Sequence, residues 1–228
     1  MREIVLDTET TGLDPLQGHR IVEIGAIELL NHIPTGNTYH SFINPLRDVP
    51  REAEAVHGLS GEFLKDKPTF SQIADEFLEF IGETVLIIHN ASFDVGFLNA
   101  ELDFIKRSPI LYERIIDTLT LAKKRHPMGP NSLDALCKRY GIDIVKRTKH
   151  GALVDSELLA SVYLELIGGR QIALILPQTD NIRQLQSGNT PVQAKRSIAL
   201  PERITREEKE RHEALVKSLG AAALWKST

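Results

Sequence analysis

Cysteine is nearly absent: Cys137 is the only one among 228 residues. That excludes an internal disulfide framework and a cysteine-rich zinc site. Long hydrophobic runs are missing as well. The longest, such as Val85 to Ile88 and Ile172 to Leu176, fall far short of the roughly 20 residues of a membrane helix. The amino terminus carries no apolar leader with a small-residue cleavage site. The expectation is a cytoplasmic protein that does not engage a membrane. An excess of positive charge is lacking too. The net charge is −4, with −7 over residues 1–170 and +3 over residues 171–228. An acidic body argues against gripping duplex DNA by charge alone. It leaves room for carboxylates that hold divalent cations.

What is present is an ordinary globular composition, 42% hydrophobic and 25% charged. A chain of this length buries roughly 70% of its unfolded surface and needs no staple. Residues 3–8 read as a strand entering a turn at Thr11-Gly12. Arg20 to Leu30 and Thr38 to Ile43 read as two more, joined by a turn at Pro34-Thr35-Gly36, which predicts an antiparallel meander. Phe70, Ile73, Phe77 and Ile81 carry helical spacing, with Gly82 as a stop. Val85-Leu86-Ile87-Ile88 reads as a buried strand, and Phe93 to Ile105 as an amphipathic helix. Ile115-Ile116 suits a last strand. Helices are predicted over 117–125, 132–140 and 153–167. Residues 177–201 then lose all periodicity, as a linker does. A short terminal helix begins at Thr205, whose T-x-x-E spacing to Glu208 is that of a capping box.

Three segments carry chemistry. Asp7 and Glu9 lie two apart at a strand end, so their carboxylates project to one side. Like charges held together are costly unless a cation lies between them. The plainer reading is a polar strand end before a turn. Asp94 stands at a helix start in Ile88-His89-Asn90-Ala91-Ser92-Phe93-Asp94, where a first-turn acid also suits the helix dipole. His150 and Asp155 are five residues apart, which is about 140° around a single helix. They converge only if His150 sits on a loop, and Gly151 supplies the break. The alternative is a solvent-facing histidine and a surface acid. Lys146 to Lys149 suits a solvated loop. Four acids and one histidine from two strand ends and a late helix are what two-metal phosphoryl hydrolysis requires, with the histidine as proton acceptor.

D-x-E-T-T-G, H-N-A-x-F-D and H-x4-D resemble the three motifs of the DEDDh 3′–5′ exonucleases. Within that family the chain is similar to the branch that proofreads for bacterial replicative polymerases. Asn131 to Cys137 and Val56-His57-Gly58-Leu59 also match that branch. The likeness covers residues 3 to about 168. It implies an α/β, RNase H-like fold, a mixed five-stranded sheet flanked by helices, followed by a flexible carboxyl-terminal tail with a short helix. It also implies an exonuclease domain over 1–170, a linker over 171–204 and a polymerase-docking segment over 205–228. Asp7, Glu9, Asp94 and Asp155 would be the acids for two divalent cations, Mg²⁺ or Mn²⁺. Asp7 would bridge the pair, and Asp94 would act on the second partly through water. His150 would be the general base. Thr10, Glu52 and His57, with Asp7, Glu9 and Asp155, would meet the terminal nucleotide. Leu13 and Phe93 suit either a base pocket or core packing.

The implied substrate is a DNA 3′ end, single-stranded or frayed. Expected partners are the polymerase alpha subunit through the carboxyl-terminal segment with Trp225, and a small third core subunit. Gln171 to Leu176 is similar to peptides that bind the sliding clamp, or else continues the preceding helix. Two other readings stand beside proofreading: an RNA 3′-end exonuclease of the same superfamily, and a mainly structural adaptor joining polymerase to clamp. Cys137 reads as a small buried hydrophobe. His19, His32, His40, His89 and His126 have no companion at ligand spacing and read as structural or surface residues.

Overall fold

The computed structural model describes residues 1–144, 149–168 and 204–219. The chain divides into two units, Met1–Leu174 and Ile175–Thr228, each described here by itself.

Unit one is built on β1 (Arg2–Thr10), β2 (Ile21–Leu30), β3 (Ile33–Phe42), β4 (Val85–Ile88) and β5 (Ile115–Asp117). Their order in the sheet is β3-β2-β1-β4-β5. The first three are antiparallel neighbours, while β4 lies parallel to β1 and β5 parallel to β4. This is the mixed five-stranded sheet expected. The helices of the unit are α1 (Arg51–His57), α2 (Gly61–Leu64), α3 (Phe70–Ile81), α4 (Ala91–Phe104), α5 (Thr118–Arg125), α6 (Leu133–Tyr140) and α7 (Ala152–Leu166).

Alternation along β1 sorts the layers. Ile4 and Leu6 face one side, in a core with Phe70 and Phe77 of α3 and Val95 and Leu98 of α4. Val5 faces the other, packing with Leu159 and Tyr163 of α7. Behind α7, a third cluster joins Ala122 of α5 and Leu136 of α6 to Val162. Cys137 is buried there, as expected.

The β2–β3 hairpin corrects the expected turn. Residues 34–36 lie inside β3, and the reversal occurs at Asn31-His32, with φ of 52° and 68°. A two-residue hairpin loop needs positive φ at both positions, which matches the twist of the flanking strands. Asn tolerates that conformation, so Asn31 was the usable signal. Pro34 is accommodated because β3 is an edge strand. β1 also runs to Thr10, past the expected end at residue 8, so Glu9 lies within the strand. α1 and α2 were not anticipated. α1 has seven residues and almost no apolar stripe. Its signals are Pro50 before it, acids in its first turn, and Gly58 after it at φ 79°.

Helix caps fall where side chains can make them. Asp117 accepts from Leu119 N at 2.9 Å and starts α5. Ser132 accepts from Ala135 N at 3.3 Å and starts α6. In the second unit, α8 (Arg206–Leu219) begins with the expected capping box. Thr205 N donates to Glu208 Oε2 at 2.8 Å, and Glu208 N donates to Thr205 Oγ1 at 3.3 Å. Gln171 to Leu176, most of the expected linker and Trp225 lie outside the described residues.

The amino end of α7 is seated directly on β2. A Cβ placed on Gly25 would lie 2.2 Å from Ala152 C and Leu153 N. Ser156, fully buried, donates to Gly25 O at 2.9 Å. Gly25 pairs with Asp7 across the sheet. Gly25→Ala must push the first turn of α7 outward, an overpacking cost of about 1–3 kcal/mol. The expected result is a lower urea midpoint and a fall in catalytic rate. An unchanged midpoint and rate would contradict this seating.

Candidate active site

Glu3, Val5, Asp7 and Glu9 share one face of β1. α7 runs along that face in the opposite sense. Tyr163 OH donates to Glu3 Oε1 at 3.0 Å at one end, and Asp155 comes to Glu9 at the other. Candidate metal-ligating atoms of Glu9, His150 and Asp155 all lie within 4.8 Å of one another. His150 Nδ1 is 3.1 Å from Asp155 Oδ2. Asp155 is 3% exposed, whereas the His150 side chain is nearly half exposed. His150 does sit on a loop before α7, as the spacing required. Its backbone N–H donates to Val56 O of α1 at 3.3 Å. Lys146 to Thr148 lie outside the described residues. Lys149 is exposed, with its side chain against Gly58.

Asp94 arrives from the opposite layer. It is in the first turn of α4, which follows Asn90 at φ 63°. Its Oδ1 accepts from Thr8 N at 3.0 Å and from Thr8 Oγ1 at 2.7 Å. Thr8 lies between Asp7 and Glu9, so Asp94 is bonded to the stretch of strand that carries both acids. Burial pushes the Asp94 carboxyl up to about 7, against the opposing pull of the Thr8 bonds. A buried carboxylate with that cost, bonded to the strand residue between Asp7 and Glu9, fits a cation-holding group. The donor set is oxygen-rich, with one imidazole, as hard divalent ions prefer.

Next to the carboxylates is a cavity of about 610 Å³. Glu9, Thr10, Glu52 and His57 line it, as do Leu13 and Phe93. Of the residues expected to meet a nucleotide, Glu9, Thr10, Glu52 and His57 line this cavity and Asp155 joins the cluster with Glu9, while Asp7 is located by its place on β1 alone. Leu13 is 85% exposed, so it is not core. Phe93 is partly buried against Phe97, with ring centroids 5.0 Å apart. Thr10 Oγ1 donates to Gly12 O at 2.6 Å and shapes the floor of the turn. His57 is buried, and its Nδ1 accepts from Leu59 N at 3.0 Å. Burial lowers its pKa, offset in part by Glu23 and Glu54. Glu52 is exposed on α1.

Sequence reasoning missed the supports. Glu23 is 4% exposed, pairs in register with Glu9 and holds His40 Nε2 at 2.7 Å. Glu101 is 3% exposed and binds Arg20 through both carboxylate oxygens, at 2.7 and 2.6 Å. An acid in the midst of a strand or helix pattern was the available signal for each.

The family model described as Exonuclease matches residues 4–163. The chain is 51% identical to the DNA polymerase III subunit epsilon of Rickettsia felis, covering 96% of this chain and 97% of that protein. It is 44% identical to the subunit of the same name from Escherichia coli, covering 99% and 98%. Among solved structures it is similar to Exonuclease X in complex with 5′ overhanging duplex DNA, with a TM-score of 0.60 and 25% identity over 73% of this chain and 92% of that one. The nuclease domain of 3′hExo, a DEDDh family member bound to rAMP, shares the fold at a TM-score of 0.64 and 17% identity, over 74% and 92%.

The raised Asp94 carboxyl has a sign that can be checked. Folded protein holds this proton up to about pH 7, and unfolded chain only to the usual value near 3.8. Between these limits the folded state binds more protons, so its stability falls as pH rises. Metal-free protein in EDTA should therefore lose thermal midpoint across that window, and Asp94→Asn should flatten the loss. Mg²⁺ or Mn²⁺ above pH 7 should raise the wild-type midpoint and leave Asp94→Asn less affected. Identical pH profiles for the two proteins would contradict the burial of this carboxylate.

Proposed function

The chain belongs to the exonuclease family and is a 3′–5′ exonuclease, and from that premise we propose that it removes mispaired 3′-terminal nucleotides from DNA as 5′-monophosphates. It does so as the proofreading subunit of a DNA polymerase III core, in the cytoplasm. The observation that carries the site assignment is the meeting of Glu9, His150 and Asp155 within 4.8 Å from distant parts of the chain.

Asp7, Glu9, Asp94 and Asp155 hold two divalent cations, Mg²⁺ or Mn²⁺. When bound, these supply Lewis-acid stabilisation of the attacking and leaving oxygens. His150 is the general base. An ionised Asp155 can only accept a hydrogen bond, so the proton of the imidazole lies on Nδ1. That makes Nε2 the nitrogen that takes the proton of the attacking water. The exposed position of His150 gives water access to it. The terminal nucleotide sits in the cavity, bordered by Thr10, Glu52 and His57. Leu13, Val56 and Phe93 give the base an apolar surround. Preference for mispairs arises in the DNA, because a mispaired end is cheaper to unpair than a paired one.

The acidic body does not need to hold DNA tightly if it is tethered beside the primer, since a tether raises effective concentration. Residues 171–204 serve as that tether. Residues 205–228 dock on the polymerase alpha subunit, with α8 and Trp225 as the anchor. Leu215 and Leu219, 60% and 44% exposed on α8, suit a docking face. Gln171 to Leu176 bind the sliding clamp, and a small third core subunit binds the body.

His150→Ala should lower the turnover of 3′-mispaired DNA primers by roughly 10²- to 10⁴-fold, the usual range for a lost general base. Asp7→Asn should abolish metal-dependent activity. Faster turnover of RNA oligomers than of mispaired DNA would reverse the substrate assignment. Deleting residues 205–228 should eliminate polymerase association and spare single-strand hydrolysis. Loss of both would place that segment within the catalytic domain.

A further inference from the structure

His19 has no role in the chemistry above, yet its imidazole lines the cavity and is held by a directed chain of hydrogen bonds. The chain starts at the buried Glu101, which binds the Arg20 guanidinium and also accepts from Ile21 N at 3.3 Å. Arg20 is thereby fixed, and its backbone N–H donates to Thr11 Oγ1 at 3.0 Å. Thr11 N in turn donates to Arg20 O at 2.9 Å, closing the loop from 11 to 20 at its base. Thr11 Oγ1 lies 3.2 Å from His19 Nδ1. Thr11 is 1% exposed, so its hydroxyl proton cannot turn to solvent. Among the described residues, His19 Nδ1 is the acceptor it has. A buried hydroxyl without an acceptor is costly, so Thr11 donates and Nδ1 accepts. In the neutral imidazole the proton then stands on Nε2.

A Cβ on Gly12 would lie 2.3 Å from His19 Nδ1 and Cε1, so the imidazole packs into the space that the missing side chain of Gly12 leaves. Among the described residues no hydrogen bond uses His19 Nε2. The donor thus belongs to a residue of the cavity wall, which combines Leu13, Val56 and Phe93 with the polar Asp14, Gln17 and Glu52.

We propose that His19 is a substrate-positioning residue that donates its Nε2 proton to the minor-groove edge of the terminal base, to purine N3 or pyrimidine O2. This deepens the proposed function and rests on the cavity being the seat of the terminal nucleotide. Leu13, Val56 and Phe93 offer a base apolar contact, and the carboxylates of Asp14 and Glu52 in the same lining disfavour a phosphate, whose charge belongs at the acid cluster with its cations. His19 is not among the groups that meet there. A nuclease that must release any terminal nucleotide gains from reading an acceptor that does not vary. The minor-groove edge offers one, whereas the major-groove edge differs for every base. The donor orients the base without selecting its identity.

The test is calorimetric binding of the product nucleotides dAMP and TMP to the full chain with Mg²⁺, with 3-deaza-dAMP as the probe that lacks purine N3. Wild type should bind 3-deaza-dAMP roughly 3- to 10-fold more weakly than dAMP, the factor expected for one neutral hydrogen bond. His19→Phe should weaken dAMP and TMP by that same factor and bind 3-deaza-dAMP as wild type does. His19→Gln, which retains a donor of similar reach, should recover part of the loss. Equal binding of dAMP and 3-deaza-dAMP by wild type would overturn the proposal, and that arm needs no variant to fold. A loss in His19→Phe that extends equally to 3-deaza-dAMP would also overturn it. Failure of wild type to bind any of the three nucleotides would instead remove the assignment of the cavity, a result distinct from loss of the donor.

Discussion

Carboxylates crowded at the end of one strand are the constraint on which the rest depends. Asp7 and Glu9 share a face of β1, Asp155 is brought against Glu9 from one layer, and Asp94 is bonded to Thr8 between them from the other. Acids so placed repel one another, and burial in addition pushes the Asp94 carboxyl up to about 7. Folding free energy taken from the two apolar layers offsets this strain. Ile4, Leu6, Phe70 and Phe77 on one side, and Val5, Leu159 and Tyr163 on the other, fix strand and helices regardless of the charges. The acids therefore remain poised for cations, since they cannot relax without unpacking a core.

Three layers of support lie behind the acids. Gly25 lets α7 approach the sheet at backbone distance. Ser156 and Tyr163 tie the same helix to β2 and β1. Arg20 and Glu101 join the loop from 11 to 20 to α4, the helix that also carries Asp94. The loop that borders the cavity and the buried acid Asp94 are thus attached to one helix. Precise sites require this kind of backing, because loops alone hold side chains too loosely.

Much of this was legible before any coordinates. The period of four to Gly82, the apolar run at 85–88 and the T-x-x-E at 205 each carry a local physical rule, and each element appears where the rule puts it. The candidate site residues stood out because their chemistry is unusual: acids two apart at a strand end, and a histidine five residues before an acid with a glycine break after it. What could not be read was contact across the sequence. Pro34 and Gly36 are turn formers, yet pairing with β2 draws them into a strand and moves the reversal to Asn31-His32. α1 is short and solvent-facing, so it lacks the stripe that reveals a helix, though Glu52 and His57 both ride on it. Glu23 and Glu101 look like ordinary strand and helix acids until the fold buries them.

The zipper between β1 and α7 has a mechanical side. Tyr163 grips Glu3 at the far end, and Asp155 meets Glu9 at the near end, eight helical residues or about 12 Å away. Glu3 is wholly buried and is shared with His32 of the hairpin, at 2.8 Å. Near Asp155 the tie is the Ser156 bond to Gly25 O, so the helix is fixed at both ends and the two carboxylates are kept together against their repulsion.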